Sequence, residues 1–257
     1  MLHVGTSGWQ YRDWRGSFYP EKMPPTGWLE HYSRRFQVVE VNNTFYHLPE
    51  ASTFAKWHRE TADDFVVAVK MSRYLTHLKR LLDPEEPVQR FMTRARQLRG
   101  KLGPVLVQLP PRFEAAPDRL EATLACFDRD VRVAVEFRDD SWYTDEVREI
   151  LQRHRAALVL ADRRNRHTPL WRTADWGFVR LHEGLARPRP CYGERILETW
   201  VERIAELWKP EGDVFAFFNN DRRGCAVRDA GVFGRLAEAH GLRPTRTPEP
   251  DEVRVSG

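Results

Sequence analysis

The chain repeats one pattern eight times: a short run rich in Val, Ile, Leu and Phe that ends in polar or charged residues. Parallel strands that are buried on both faces have this near-continuous apolar character. Polar groups confined to the C-terminal end of each run indicate a parallel barrel with a site at one mouth. The pattern predicts strands at 2–6, 38–42, 65–70, 104–109, 131–137, 157–162, 177–182 and 213–219.

Helical patterns separate these runs. Amphipathic spacing predicts helices at 27–36, after a cap at Ser52, at 84–101, from Pro117, and at 141–154, 194–208 and 227–240. Strict alternation of strand and helix predicts a parallel sheet built of βα units. Eight units close a barrel, so we expect an α/β fold, a single (β/α)8 TIM barrel, with an open doubly wound sheet as the alternative.

The whole of this pattern lies in residues 1–241, which we expect to form one barrel domain. The proline-containing segment 242–257 is predicted to be a loose C-terminal tail. A length of 257 residues is typical of one such barrel. Hydrophobic residues make up 41% and charged residues 30%, as in a globular protein, and a net charge of +4 permits a nucleic-acid partner without requiring one.

Composition also bears on the compartment. No signal peptide is apparent, and no apolar stretch approaches the roughly 18 residues of a membrane span, so no membrane association is expected. The three cysteines, Cys126, Cys191 and Cys225, have neither metal nor redox spacing, and their odd number argues against a disulfide framework. This cysteine usage predicts a cytoplasmic protein.

Barrels of this kind place their active sites at the C-terminal ends of the strands. Three strand ends carry polar residues two positions apart: Glu40 with Asn42, Glu136 with Arg138, and Arg180 with His182. Residues so spaced face the same side of a strand, and a charge facing an apolar helix would be costly, so we place these pairs in the lumen. The alternative is a layer of ion pairs that caps the core and binds no substrate.

Four cations near strand ends, Lys70, Arg73, Arg138 and Arg180, predict an anionic ligand bearing phosphate or carboxylate. The loop 221–225 precedes a helix and offers a weak second indication of phosphate binding. The arginine-rich run 163–167 is predicted to be a solvated loop, with phosphate contact as the alternative.

Roles for individual residues follow from these positions. We expect Glu136 to be the essential acid/base or metal-binding carboxylate, with a raised pKa unless Arg180 or Lys70 compensates its charge. His182 is expected to shuttle a proton, and Glu40 is a second catalytic carboxylate. The predicted ligand-binding residues are Trp9, Asn42, Tyr46, Lys70, Arg73, His77, Gln108, Arg138, Asp162, Arg180, Asn219 and Asn220.

Aromatic residues are concentrated in the loop after strand one, and Tyr46 follows strand two. Trp9 and Tyr46 are expected to be exposed to the mouth, where aromatic rings beside arginines stack bases or sugars. Trp14 and Phe18 are expected to pack within the loop itself. The cofactor is unknown: a barrel can assemble a divalent metal site from separate strands, but the nearby cations do not favour one.

Several segments, in order, resemble the YecE-like proteins, a domain-of-unknown-function family. They are Gly5–Trp9 (GTSGW), 40–46 (EVNNTFY), 69–77 (VKMSRYLTH), 108–113 (QLPPRF), 135–139 (VEFRD) and 218–221 (FNND), within a match spanning residues 2–241. The resemblance implies a TIM-barrel fold and supplies no activity. One departure is Glu183, since the family more often has Gly after the histidine, which affects the loop after strand seven.

Function must therefore be argued from the site. The leading expectation is a phosphate-bearing ligand at the mouth, held by a nucleic-acid phosphodiester hydrolase. A sugar-phosphate isomerase or lyase using Glu40 or Glu136 as base is an alternative, as is a non-catalytic binder of nucleic acid or metabolite. The expected partner in every case is an anionic small molecule or a nucleic acid.

Overall fold

Eight parallel strands close into a barrel in which each strand pairs with the next and the last pairs with the first. The computed structural model describes residues 1–162, 168–208 and 212–255. The strands are β1 (Leu2–Thr6), β2 (Val38–Val41), β3 (Val66–Lys70), β4 (Leu102–Gln108), β5 (Val133–Glu136), β6 (Ala157–Asp162), β7 (Gly177–Leu181) and β8 (Val214–Phe218). The predicted TIM-barrel fold is confirmed, and each predicted strand is found within about two residues of its place.

Helices follow the strands along the chain; most cover the outside of the barrel, and the short second helix lies at its mouth. They are α1 (Trp28–Arg35), α2 (Asn43–Tyr46), α3 (Ala51–Glu60), α4 (Glu85–Ala95), α5 (Pro117–Ala125), α6 (Asp145–Arg153), α7 (Glu194–Trp208) and α8 (Cys225–Ala239). Short 3-10 helices occupy Arg12–Trp14, Pro25–Gly27, Arg96–Lys101, Asp140–Trp142, Arg222–Gly224 and Pro250–Glu252, and a π-helical turn occupies Tyr74–Leu78. Ser52 is not the cap of α3, because the helix begins one residue earlier and Glu50 holds the cap position.

Side chains alternate between the lumen and the helices, as the pleat of a strand requires. The lumen holds its own apolar cluster, which includes Val38, Ala68, Leu106, Ala134, Val159, Phe178 and Phe217. A larger cluster lies between the barrel and the helices. Polar residues two positions beyond the lumen residues of a strand must therefore point into the barrel mouth. The site is built at these positions.

The segment after Gly241, predicted to be loose, is joined to β1. The amide of Leu2 donates to the carbonyl of Arg243 at 2.8 Å, and the amide of Thr245 donates to the carbonyl of Leu2 at 2.7 Å. The Thr245 hydroxyl accepts a further bond from the amide of Val4 at 3.0 Å. These bonds occupy backbone groups in the first half of β1 and hold the start of the segment in place. The arginine-rich run 163–167 lies outside the described residues.

A disulfide joins Cys191 to Cys225. The prediction from cysteine number and spacing is wrong, because spacing along the chain does not report distance in a closed barrel. The loop after β7 and the start of α8 belong to neighbouring units, so residues 34 positions apart meet. Cys126 is a free cysteine. No helix within the described ranges is both long and apolar enough to cross a membrane.

Candidate functional site at the barrel mouth

Arg180 lies at the centre of the barrel mouth and is fully buried. Its Nε and Nη2 donate to the two carboxylate oxygens of Glu40 at 2.9 and 2.7 Å. Its Nη1 donates to Oε2 of Glu136 at 2.6 Å. Both carboxylates are at most 1% exposed. Since one guanidinium meets two carboxylates that come from β2 and β5, the three side chains form a fixed ionic group across the lumen, here called the Arg180 cluster.

A second layer of contacts extends this cluster towards solvent. Arg138 donates from Nε to Oε1 of Glu136 at 3.1 Å and from Nη2 to Oε1 of Gln108 at 2.8 Å. The same Gln108 oxygen accepts a bond from Nζ of Lys70 at 2.9 Å. The Lys70 ammonium also lies 4.2 Å from the centre of the Phe45 ring. Gln108 therefore sets the positions of two cations that border the cavity.

Amide side chains complete the mouth. Asn42 donates from Nδ2 to Oε1 of Glu40 at 3.1 Å. Asn219 bonds through Nδ2 to Nδ1 of His182 at 3.0 Å, and Nε2 of His182 lies 3.9 Å from Oε1 of Glu136. Asn219 therefore orients the imidazole of His182, which also lies close to Glu136 of the Arg180 cluster.

Two adjoining cavities open above these groups and share Arg138 and Asn219 in their walls. The smaller, of about 520 Å³, is lined by Tyr11, Asn42, Phe45, Tyr46, Lys70, Arg73, His77, Gln108, Arg138, Arg180 and Asn219. The larger, of about 750 Å³, is lined by Pro111, Arg138, His182, Glu183, Arg189, Pro190, Asn219, Asn220, Asp221 and Arg222. Cavities of this size accommodate small organic ligands.

The protonation states follow from burial and charge. Burial alone would raise the pKa of Glu136, but the charges of Arg180, His182 and Arg138 outweigh it and hold that pKa well below its usual range. Burial, together with the charge of Arg180, lowers the pKa of Lys70 to about 8. Burial and the charge of Lys70 lower the pKa of His77 to about 4. At neutral pH, Glu136 is therefore ionised and His77 is neutral.

Most of the predicted site residues meet at the mouth. Those that line its cavities or hold its carboxylates are Glu40, Asn42, Tyr46, Lys70, Arg73, His77, Gln108, Glu136, Arg138, Arg180, His182, Asn219 and Asn220. Asn220 differs from the rest because it is 2% exposed and donates to Asp229 at 2.7 Å and to the carbonyl of Pro190 at 3.1 Å. Its amide nitrogen holds the rim together.

Asp162 and Trp9 do not lie where the sequence placed them. In β6 it is Val159 and Ala161 that face the lumen, so Asp162 points outward, and its carboxylate is hydrogen-bonded to the hydroxyl of Tyr192. Trp9 is 4% exposed and packs edge-on against Trp57 at 5.7 Å. Trp14 and Phe18 are buried, as predicted.

Tyr11 and Phe45 line the smaller cavity and were not among the predicted site residues. Tyr11 lies in the long loop after β1, and its hydroxyl donates to the carbonyl of Ser7 at 2.6 Å. Phe45 follows β2 directly and lies under the Lys70 ammonium. The sequence shows both aromatic residues close to the end of a strand, which could have indicated a position at the mouth. Aromatic residues in such segments usually serve packing, so the indication was not specific.

The donor set does not resemble a metal centre. Among residues 1–162, 168–208 and 212–255, no group of three or more His, Cys, Asp or Glu side chains is arranged to hold a metal ion. Glu40 and Glu136 direct their oxygens at Arg180 rather than at one another. What the mouth offers a ligand is positive charge, amide groups and aromatic rings.

The fold is that of a (β/α)8-barrel protein, with cavities lined by several cations at the carboxyl ends of its strands. The chain belongs to the family described as protein of unknown function DUF72, whose model matches residues 3–253. This confirms the resemblance noted from the sequence.

Two curated relatives match the chain, one over nearly its whole length and one over less than half of it. The UPF0759 protein YunF of Bacillus subtilis is 28% identical over 286 residues, which cover 95% of this chain and 98% of the relative. The UPF0759 protein YecE of Escherichia coli K12 is 31% identical over 113 residues, 44% of this chain and 39% of the relative.

Solved structures agree on the fold. The crystal structure of a DUF72 family protein from Thermotoga maritima has a TM-score of 0.80 at 30% identity and covers 93% of this chain and 99% of its own. A DUF72 family protein from Enterococcus faecalis has a TM-score of 0.76 at 19% identity, covering 93% of this chain and 96% of its own, and supports the fold alone.

Proposed function

We propose that the mouth of the barrel binds a small anionic ligand that carries a phosphate group. The observation that supports this most is the way Arg180 engages both Glu40 and Glu136. Glu40 and Glu136 carry two negative charges, which the guanidinium groups of Arg180 and Arg138 balance. Lys70 and Arg73 line the same cavity and are cations in excess of these two carboxylates.

The aromatic rings that line the smaller cavity narrow the class of ligand that we expect. Phe45 and Tyr46 lie beside these cations, and Tyr46 is 72% exposed. A planar base or a sugar stacks on such rings while its phosphate meets the cations. We therefore expect a nucleotide, a sugar phosphate or the end of a nucleic-acid strand, in preference to a free carboxylic acid.

Phosphate binding is tested by thermal unfolding in potassium phosphate against potassium chloride of equal ionic strength. Phosphate should raise the Tm of the wild type. Arg138→Ala should remove a charge-assisted contact and weaken binding by roughly 10- to 100-fold, so that the shift is lost at moderate phosphate concentrations. Arg59→Ala is the matched control, because Arg59 is exposed in the last turn of α3 and lines neither cavity.

Two results would contradict the proposal. If no anion raises the Tm, the charged mouth is a layer of ion pairs that caps the core. If Arg138→Ala keeps the full shift, the phosphate binds elsewhere on the protein.

Phosphodiester hydrolysis is the second candidate, and the position of His182 favours it over the other activities. Its ring is oriented by Asn219 and lines the larger cavity, where an imidazole serves to transfer a proton. Glu136 is poorly suited to that task, because a carboxylate whose pKa is held low is a weak base. Turnover of bis(4-nitrophenyl) phosphate or of a short single-stranded oligonucleotide by the wild type, lost in His182→Ala with the phosphate shift retained, would establish it.

A further inference from the structure

Lys70 is an unusual lysine within this chain. It is the last residue of β3, its side chain is 8% exposed, and it lines the smaller cavity. Lys56 and Lys79, by contrast, form ion pairs with carboxylates at the surface. Within the described part of the chain, no carboxylate lies within ion-pair distance of the Lys70 ammonium. Its polar contact is with Gln108, a neutral amide that it shares with Arg138.

The surroundings of Lys70 favour its uncharged form. The charged and titratable groups that act on it come from several elements: Glu40 of β2, Glu136 of β5, Arg138 after β5, Arg180 of β7, and His77 after β3. Glu40 and Glu136 are hydrogen-bonded to Arg180 rather than to Lys70. Burial also removes water from the Lys70 ammonium. With a pKa of about 8, roughly a tenth of Lys70 is the free amine at pH 7, about two hundred times the share of an ordinary lysine.

We propose that Lys70 forms an imine with an aldehyde or ketone group carried by the ligand, an inference that rests on the proposed binding of a phosphate-bearing ligand at this mouth. The substrate class is thus a carbonyl compound with a phosphate group. The amine nitrogen faces a cavity whose wall includes Arg73 and Arg138, so the phosphate is held while the carbonyl carbon reaches Nζ. A desolvated lysine beside other cations is a recognised nucleophile for carbonyl groups.

The chemical step is a condensation. The lone pair of the neutral Lys70 amine attacks the carbonyl carbon, and the C=O π electrons move to oxygen. The nitrogen loses one proton and the oxygen gains one, which gives a carbinolamine. A second proton adds to the hydroxyl, which leaves as water while the nitrogen lone pair forms the C=N bond, and the nitrogen then loses its remaining proton to give the neutral imine. Protons are exchanged with solvent, and no oxidant or reductant takes part.

Reductive trapping tests this step. The folded protein is incubated at pH 7.5 with dihydroxyacetone phosphate and sodium cyanoborohydride, and the modified lysines are identified and timed by peptide mass spectrometry. Lys70 should be modified at least about tenfold faster than exposed Lys56, since a larger share of it is the free amine. Dihydroxyacetone without phosphate, at the same concentration, should modify Lys70 at least tenfold more slowly.

Controls separate this proposal from the proposed function. Lys101 is equally buried but donates to the carbonyls of His58 and Thr61 and lines none of the mouth, so it should stay unmodified. Lys70→Arg removes the amine and should lose the modification at position 70, while the Tm shift in inorganic phosphate is read from the wild type.

Each outcome supports or overturns a proposal. Faster, phosphate-dependent modification of Lys70 supports the imine. A phosphate shift in the wild type without preferential modification of Lys70 overturns the imine and leaves the phosphate site intact. Neither a shift nor modification overturns both proposals. Modification of Lys70 that is equally fast without the phosphate group overturns the inference as stated, because the anion would then play no part.

Discussion

At the scale of single residues, the guanidinium of Arg180 holds the mouth together. It is 1% exposed and makes three hydrogen bonds to two carboxylates that are at most 1% exposed. A buried ionic group of this kind adds little to stability compared with apolar residues in place of the whole group, but removing only Arg180 takes an ion-pair partner from two buried carboxylates. The loss of one partner is therefore the informative experiment.

Arg180→Leu should lower the free energy of unfolding by about 3–5 kcal/mol, because the buried Glu40 would lose its ion pair with Arg180 and the buried Glu136 would lose one of its ion pairs. Urea unfolding followed by fluorescence measures it. Arg73→Leu, at an exposed rim position, should change the free energy by no more than about 0.5 kcal/mol. Equal stability of the two variants would show that the Arg180 cluster is not a buried ionic group in solution.

The low pKa of Glu136 gives a dependence of stability on pH. Since the pKa in the folded state lies below the unfolded value of about 4.3, the ionised carboxylate stabilises the folded state above that value. This contribution is lost as the pH falls below it. The wild type should lose Tm steeply between pH 5 and roughly pH 2 to 3, and Glu136→Gln should show a flatter acid limb over that range. Glu252→Gln, at an exposed position, should leave the limb unchanged; a limb equally steep in Glu136→Gln would contradict this assignment.

At the scale of elements, the strands could be predicted because each apolar run is bounded by polar residues. The face of a polar residue could be argued most firmly where a strand supplied two of them. Glu40 with Asn42 and Arg180 with His182 share a face, and burying both against helices would be too costly. In β6 the run 157–161 is apolar throughout, so nothing in it indicates which side Asp162 takes.

The remaining differences arise from contacts between elements. The Cys191–Cys225 disulfide and the bonds of Thr245 to β1 join segments that are distant along the chain. The positions of Tyr11 and Phe45 depend on how two loops fold over the mouth. Such distances are set by barrel closure and loop conformation, and no local pattern of residues encodes them.

The close approach of β1 to β2 at Gly5 predicts the effect of a larger residue there. A methyl group on Gly5 would lie 2.3 Å from the carbonyl oxygen of Val38, a backbone atom of the neighbouring strand. Gly5→Ala should therefore destabilise the fold by about 1–3 kcal/mol through overpacking. Gly100→Ala is the control, because a methyl group there meets no atom within 4 Å. Chemical unfolding of both variants measures the difference, and a Gly5→Ala protein as stable as the control would show that the strands separate easily.

At the scale of the whole molecule, the disulfide fixes the rim of the larger cavity to the last helix. Cys191 follows Arg189 and Pro190, which line that cavity, and Cys225 is the first residue of α8. The crosslink closes a segment of 34 residues that includes α7 and β8. It therefore restricts the unfolded chain over α7 and β8.

The variant with both Cys191→Ser and Cys225→Ser should be less stable than the wild type by about 2–4 kcal/mol, since the unfolded chain regains the entropy of the open loop. Urea unfolding under non-reducing conditions measures it. Cys126→Ser should have little effect, as Cys126 forms no disulfide. If reducing agent leaves the wild-type transition unchanged, the crosslink contributes nothing to stability.

The Arg180 cluster also bears on the order in which the chain is assembled. Glu40 and Arg180 are 140 residues apart, and Glu136 precedes Arg180 by 44. During synthesis both carboxylates leave the ribosome before their cation does. A partial barrel of the first six strands would therefore bury Glu40 without its ion-pair partner and Glu136 with one cation fewer, which disfavours its premature closure. Arrival of β7 supplies the missing cation, so the residue that organises the mouth also couples closure of the barrel to synthesis of the chain as far as Leu181.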